Sequence, residues 1–173
     1  MHLADALRHL PEAKSPGGVP PQERGNDRIG SNEMIDPSTG QPYIPTPAYF
    51  LGCFDIYDRE ETLGEELEKY DPNSPADREI LILNYSLSKK WKITYRQKFA
   101  LYKSLEEALQ DSDYDFQTLL EHDCQECSSL PNGWDAMDDP RIFFEDIYRL
   151  ASELWADDLR KAESEDRSTW DYI

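Results

Sequence analysis

Residues 76–111 contain neither glycine nor proline, and within them Ile80, Leu83, Leu87, Trp91, Tyr95, Phe99, Tyr102, Leu105 and Leu109 recur at steps of three or four. That spacing gathers side chains onto one stripe of a 3.6-residue helix. Lys89, Lys92, Arg96 and Lys103 fall on the opposite side. Just upstream, Asn73-Ser74-Pro75-Ala76-Asp77 has the chemistry of a helix start. Ser74 can cap, Pro75 suits the first helical position, and Asp77 can reach back to free amides. The pattern predicts one long helix, or two with a joint near Ser88. The competing reading is a hairpin of 79–87 and 91–101, because Ile, Tyr and Thr also suit strands.

Around this stretch the elements are shorter. Residues 48–58, AYFLGCFDIYD, are aromatic and partly alternating, which predicts a strand or a buried extended segment. Residues 59–70 predict a short acidic helix ended by Asp71-Pro72. Residues 113–127 predict a third helix, with Phe116, Leu119, Leu120 and Cys124 inward. Residues 128–140 form a loop, because Pro131 and Asn132-Gly133 are turn signals. Asp139-Pro140 opens the last helix, in which Phe143, Ile147, Leu150 and Leu154 make one row beside Phe144, Tyr148, Ala151 and Trp155.

Residues 1–47 differ in kind. They hold eight of the 12 prolines and five of the eight glycines, with one aromatic, Tyr43. Such a segment buries too little to order itself. Only Leu3, Leu7 and Leu10 suggest a short amphipathic turn. The expected fold is therefore mainly α: a small helical domain, with one or two short strands possible, behind a disordered proline-rich N-terminal arm. The boundaries expected are an arm at 1–47, a single acidic, mostly helical domain at 48–162, and a polar tail at 163–173.

The first ten residues include Asp5, Arg8 and two histidines, so they lack the apolar core of a secretory leader. No run approaches the length of a membrane span. Three cysteines, an odd number, fit a reducing compartment, and a cytoplasmic location is expected.

His122, Cys124 and Cys127 have spacing that a zinc site could use, but a closed site needs four ligands and no second such pair exists. A redox pair is disfavoured by the surrounding acids, which would raise the thiol pKa. No metal or other cofactor is expected. There is no nucleophile elbow, phosphate-binding glycine loop or HExxH motif, and only three histidines. No catalytic residue is expected, and the chain reads as a non-enzyme.

Charge carries the functional expectation. Thirty-six acids against 18 bases leave −18. Such a chain is repelled by nucleic acids and anionic membranes and attracted to basic proteins. The charge is also segregated. Residues 80–105 hold six bases and no acid, whereas the 37 residues 104–140 hold 11 acids and no base. Either the two groups cancel within the fold, or the acids face outward for a basic partner. The second possibility assigns partner binding to Asp111, Asp113, Asp115, Glu121, Asp123, Glu126, Asp135, Asp138 and Asp139. Trp134, on a loop among those acids, is either an aromatic anchor for the partner or a plug for the core.

In composition, though in no motif, the chain resembles small acidic inhibitors such as toxin-immunity proteins and phage proteins that block nucleic-acid-acting defence enzymes. That resemblance implies an acidic, nucleic-acid-mimicking inhibitor of a basic partner protein, with no direct contact to nucleic acid or membrane. The alternative is a structural or adaptor subunit that docks on a larger assembly through its N-terminal arm.

Overall fold

The computed structural model describes residues 35, 40–89, 92–121 and 129–170, all within one compact unit, Asn32–Ile173. Most of the expected arm, the turn at Leu3, Leu7 and Leu10, and the triad His122, Cys124 and Cys127 lie outside the described residues. What is described is mainly helical, and its only β pairing is an isolated bridge between Ile35 and Pro42.

The first helical element corrects an expectation. Pro47–Phe54 is a 3-10 helix, not a strand. Pro47 stands at its start with φ already suited to a helix. Phe50, Leu51 and Phe54 are buried while Tyr49 and Gly52 are exposed, so the apolar spacing follows a helix and not an alternation. The boundary expected at residue 48 also moves upstream. Pro47 is buried, Tyr43 packs against the core, and Ser104 Oγ donates to the Pro45 carbonyl at 3.0 Å.

The acidic helix expected at 59–70 is a π turn, Glu60–Gly64, running into α1, Glu65–Leu67. Next comes α2, Pro75–Leu81, which continues as a π turn, Ile82–Ser86. Ser74 occupies the cap position as predicted, although its side chain accepts no capping hydrogen bond. Asp77 does reach back, accepting from the Asp71 N–H at 3.1 Å.

Two rows compete along α2. Ile80 and Leu83 stay 38% and 37% exposed, while Arg78, Leu81 and Ile82 are buried. The second row wins because Arg78 Nε meets Asp146 Oδ2 at 2.7 Å, and its Nη1 donates to the carbonyls of Pro72 and Asn73 at 3.1 and 3.3 Å. A buried guanidinium is tolerable only with such partners.

The hairpin alternative is overturned. The joint predicted near Ser88 is present, and α3, Tyr95–Gln110, starts afresh. Thr94 accepts from the Gln97 N–H at 3.1 Å and donates its own N–H to Gln97 Oε1 at 2.8 Å, a complete capping box. The third helix expected at 113–127 is not formed among the described residues, where Gln117–Leu119 is a single 3-10 turn. Phe116 and Leu120 are nonetheless buried.

The last two helices are α4, Pro140–Leu154, and α5, Ala156–Glu163. Asp139 Oδ1 caps α4 through the Arg141 N–H at 3.0 Å. Phe143, Phe144, Ile147, Leu150 and Ala151 are buried as their rows predict, while Leu154 remains 42% exposed. α3 packs against both α4 and α5.

The expected polar tail is not a tail up to Trp170. A 3-10 turn, Arg167–Thr169, delivers Trp170 into the core, where it is 2% exposed and meets Phe99 edge-on at 5.9 Å. Glu165 ties this segment down by accepting from Tyr95 Oη at 2.7 Å, Arg96 Nε at 3.0 Å and Trp170 Nε1 at 2.9 Å.

Candidate acidic binding face

The acidic stretch becomes a surface because the segments carrying it are loops held by aromatic plugs. Trp134 is one of those plugs. It is 2% exposed, with its ring 4.7 Å from Phe54 and 5.7 Å from Phe143. It therefore cannot serve as an exposed anchor: an indole that completes this aromatic cluster has no surface left for a partner. Met137 is buried likewise. Gly133, at φ +83°, makes the turn that lets the backbone drop Trp134 inward.

With the apolar side chains turned in, the carboxylates between them remain outside. Asp111, Asp113, Asp115, Glu121, Asp135, Asp138 and Asp139 are all exposed. Asp123 and Glu126 lie outside the described residues. Three of the seven, Asp111, Asp115 and Asp139, organise their own turns. Asp111 Oδ1 accepts from the Asp113 N–H at 2.9 Å, and Asp115 Oδ1 from the Gln117 N–H at 2.9 Å. These bonds fix the local backbone and leave oxygens facing water.

Contacts between loops join these acids into one neighbourhood. Arg141 donates a side-chain N–H to the Asp111 carbonyl at 3.3 Å and another to the Leu109 carbonyl, while its backbone N–H is held by Asp139. The end of α3 is thereby tied to the start of α4. Gln117 Nε2 donates to the Asp135 carbonyl at 2.6 Å. Glu121 and Asp135 line a common cleft of about 580 Å³ whose apolar side includes Leu51, Leu119 and Leu120. The Asp138 N–H donates to Asn73 Oδ1 at 2.9 Å, which brings the turn bearing Asp71 alongside.

The bases of α3 pair away from the 111–139 stretch. Lys98 pairs with Asp158 at 2.6 Å, Arg96 with Glu165 at 2.9 Å, and Lys103 with Glu106 at 2.6 Å. Three of the six bases of residues 80–105 are thus spent on α5, on the segment after it, and on α3 itself, while Lys89 and Lys92 are exposed with no ion pair among the described residues. Arg78 and Arg149 meet Asp146, Arg141 meets Glu145, and Arg160 meets Asp157. Among the described residues, no ion pair reaches an acid of the 111–139 stretch.

Among the described residues, Tyr114, pushed up by burial, is the one group of the 111–139 stretch with a displaced pKa, and the others lie outside that stretch. Glu106 is held below the usual carboxylate range by hydrogen bonds from Lys103 and then Tyr148. Tyr148, stacked on Tyr102 at 4.5 Å, is pushed up by burial and by those neighbours. These groups brace α3 against α4 and form no open site. Among the described residues no group of His, Cys, Asp and Glu side chains could hold a metal ion, and no helix is long and apolar enough to cross a membrane.

The acids that sequence reasoning left out of this face are Glu68 and Asp71. No local pattern marks them. They join it only because Asn73 meets Asp138, 65 residues away. Compared with protein-family models, curated proteins and solved structures, the chain finds no match.

Proposed function

We propose that this chain is a non-enzymatic inhibitor that binds a basic, nucleic-acid-acting protein through its acidic face and so blocks it. One observation carries this reading: the cations of α3 are committed to Glu106, Asp158 and Glu165, while the acids of the 111–139 stretch are exposed and have no ion pair among the described residues. Unpaired like charges repel one another, and a cationic partner relieves that repulsion. Such a partner would be steered in at rates up to about 10⁸–10⁹ M⁻¹s⁻¹ at low salt.

The test is affinity capture with the full chain at low salt, with mass-spectrometric identification of what is retained and elution along a salt gradient. The expected partner has a high isoelectric point and elutes as salt rises. Changing Asp135, Asp138 and Asp139 together to Asn should abolish capture with the fold intact, because Asn caps α4 as well as Asp does. Removal of residues 1–31, which leaves the compact unit whole, should leave capture unchanged. A complex that ignores salt, or one lost with residues 1–31 but not with the triple change, would sink the proposal.

A further inference from the structure

Asn132 and Gly133 are the central pair of a tight turn, in which the Pro131 carbonyl accepts from the Trp134 N–H at 3.2 Å. Gly133, at φ +83° and ψ −2°, gives the turn its type II form. Both residues are exposed. A Cβ built on Gly133 would meet nothing within 4 Å, so no packed neighbour crowds the peptide bond between them. Among the described residues, the Gly133 N–H donates no hydrogen bond and the side-chain amide of Asn132 makes none. The other described asparagines are placed differently. Asn73 Oδ1 accepts from the Asp138 N–H at 2.9 Å, and the next N–H, that of Ser74, is held by the Asp71 carbonyl at 2.9 Å. Asn84 lies inside the π turn Ile82–Ser86 and precedes the bulky Tyr85.

We propose that Asn132 is a site of self-modification, at which the chain converts its own asparagine into an acid. The Gly133 nitrogen attacks Asn132 Cγ. The N–Cγ bond forms, the Cγ–Nδ2 bond breaks, and ammonia leaves with the proton that the Gly133 nitrogen gives up. Water then opens the resulting cyclic imide at either carbonyl, which leaves aspartate or its β-linked isomer, isoaspartate. Glycine favours the closure because it has no side chain to hinder the ring and the widest choice of φ and ψ. Asparagine is among the thermolabile residues for such reasons. Only water is consumed, so no second protein is needed. Asn132 lines the same cleft as Glu121 and Asp135, so the new carboxylate joins the acidic face and adds one charge to the −18 of the chain. Isoaspartate also inserts a methylene into the backbone of the turn that seats Trp134.

The test ages the full chain in mildly alkaline buffer below its melting temperature. The chain is then digested and mapped by mass spectrometry, with chromatographic separation of aspartate from isoaspartate. Asn132 should convert at least about tenfold faster than Asn73 or Asn84, and both products should be present. On anion exchange the aged chain should elute later than the fresh chain. N132Q, whose longer side chain closes a ring far more slowly, should show no such shift. A thermal melt checks that N132Q folds, and the comparison among the three asparagines of the unaltered chain decides the matter if it does not. Conversion of Asn132 no faster than that of Asn73 and Asn84, aspartate without isoaspartate, or an equal shift in folded N132Q would overturn the proposal.

Discussion

Arg78→Met is the substitution on which the description of the fold depends most. Arg78 is the one charged residue classed as buried among those described, at 8% exposure, and it touches two elements at once. Its Nε reaches Asp146 of α4 at 2.7 Å, and its Nη1 holds the Pro72 and Asn73 carbonyls at 3.1 and 3.3 Å. Methionine keeps most of the apolar stem and removes all three bonds. Deleting one partner of a buried ion pair costs about 3–5 kcal/mol, because the other charge is left stranded. Here Asp146 is partly wet, with its side chain 23% exposed, and it retains Arg149 at 3.3 Å. That places the loss near the low end, about 3 kcal/mol.

Urea unfolding reads this directly. With a slope of about 1.5–3 kcal/mol per molar for a domain of this size, the midpoint should fall by about 1–2 M. Asp146→Asn and the double variant complete a cycle, and the coupling should be about 1–3 kcal/mol. Amide exchange adds a local readout. The Asp138 N–H, held by Asn73 Oδ1, should lose protection when the turn beneath it is released. A stability change under about 1 kcal/mol, or additive singles, would mean that Arg78 does not select the buried row of α2.

Three further outcomes follow from the packing and the displaced pKa values. Trp170→Ala should cost about 3–5 kcal/mol by urea melt, and a change under about 1 kcal/mol would show that residues 164–170 are a loose tail after all. Burial pushes the Cys53 thiol up to about 12. Iodoacetamide at pH ~8 should therefore label Cys53 far more slowly in the native than in the unfolded chain by peptide mass mapping, and similar rates would refute its burial. Glu165 is held below the ordinary value of 4.5, chiefly by the Tyr95 hydroxyl, against opposing desolvation and with help from Arg96 and Trp170. A depressed carboxylate contributes stability that is full above its unfolded pKa and lost as pH falls through the folded one. Glu165→Gln should thus flatten the loss of stability below pH ~4.5, and curves that stay parallel would remove Glu165 from the account.

What the sequence disclosed was chemistry that acts over three or four residues. Asp139-Pro140 opens α4, and Pro75 opens α2. The Thr94–Gln97 box was equally readable, since Thr-x-x-Gln before an amphipathic run is a start signal, and it would have placed the joint at once. What stayed hidden depends on partners far along the chain. Ile80-Leu83 and Leu81-Ile82 are equally good apolar rows, and only Asp146, 68 residues on, chooses between them. Trp170 is a single aromatic in a polar context, so periodicity could not reveal that Phe99 receives it. Trp134 had both placements open to it, and the aromatic cluster with Phe54 and Phe143 decided the matter. The carboxylates were readable as a list but not as a neighbourhood, because Glu68 and Asp71 enter through a fold contact alone.

The division of the charges makes a last prediction in which one cause has two effects of opposite sign. The ion pairs of α3 are partly buried, with Lys98 and Arg96 side chains 23% and 28% exposed, so salt screens them weakly. The acids at 111–139 are exposed and mutually repelling, so salt screens them strongly. Raising ionic strength from about 0.01 M to about 0.15 M shortens the screening length from about 30 to about 8 Å. The free chain should then melt at a higher temperature, because self-repulsion is relieved. Over the same range its affinity for a basic partner should fall, because the attraction is screened by the same ions. Replacing Asp135, Asp138 and Asp139 with Asn should blunt both effects together. If salt instead lowers the melting temperature, the α3 pairs and not the exposed face dominate the electrostatics, and the surplus of negative charge is not where the proposed function requires it.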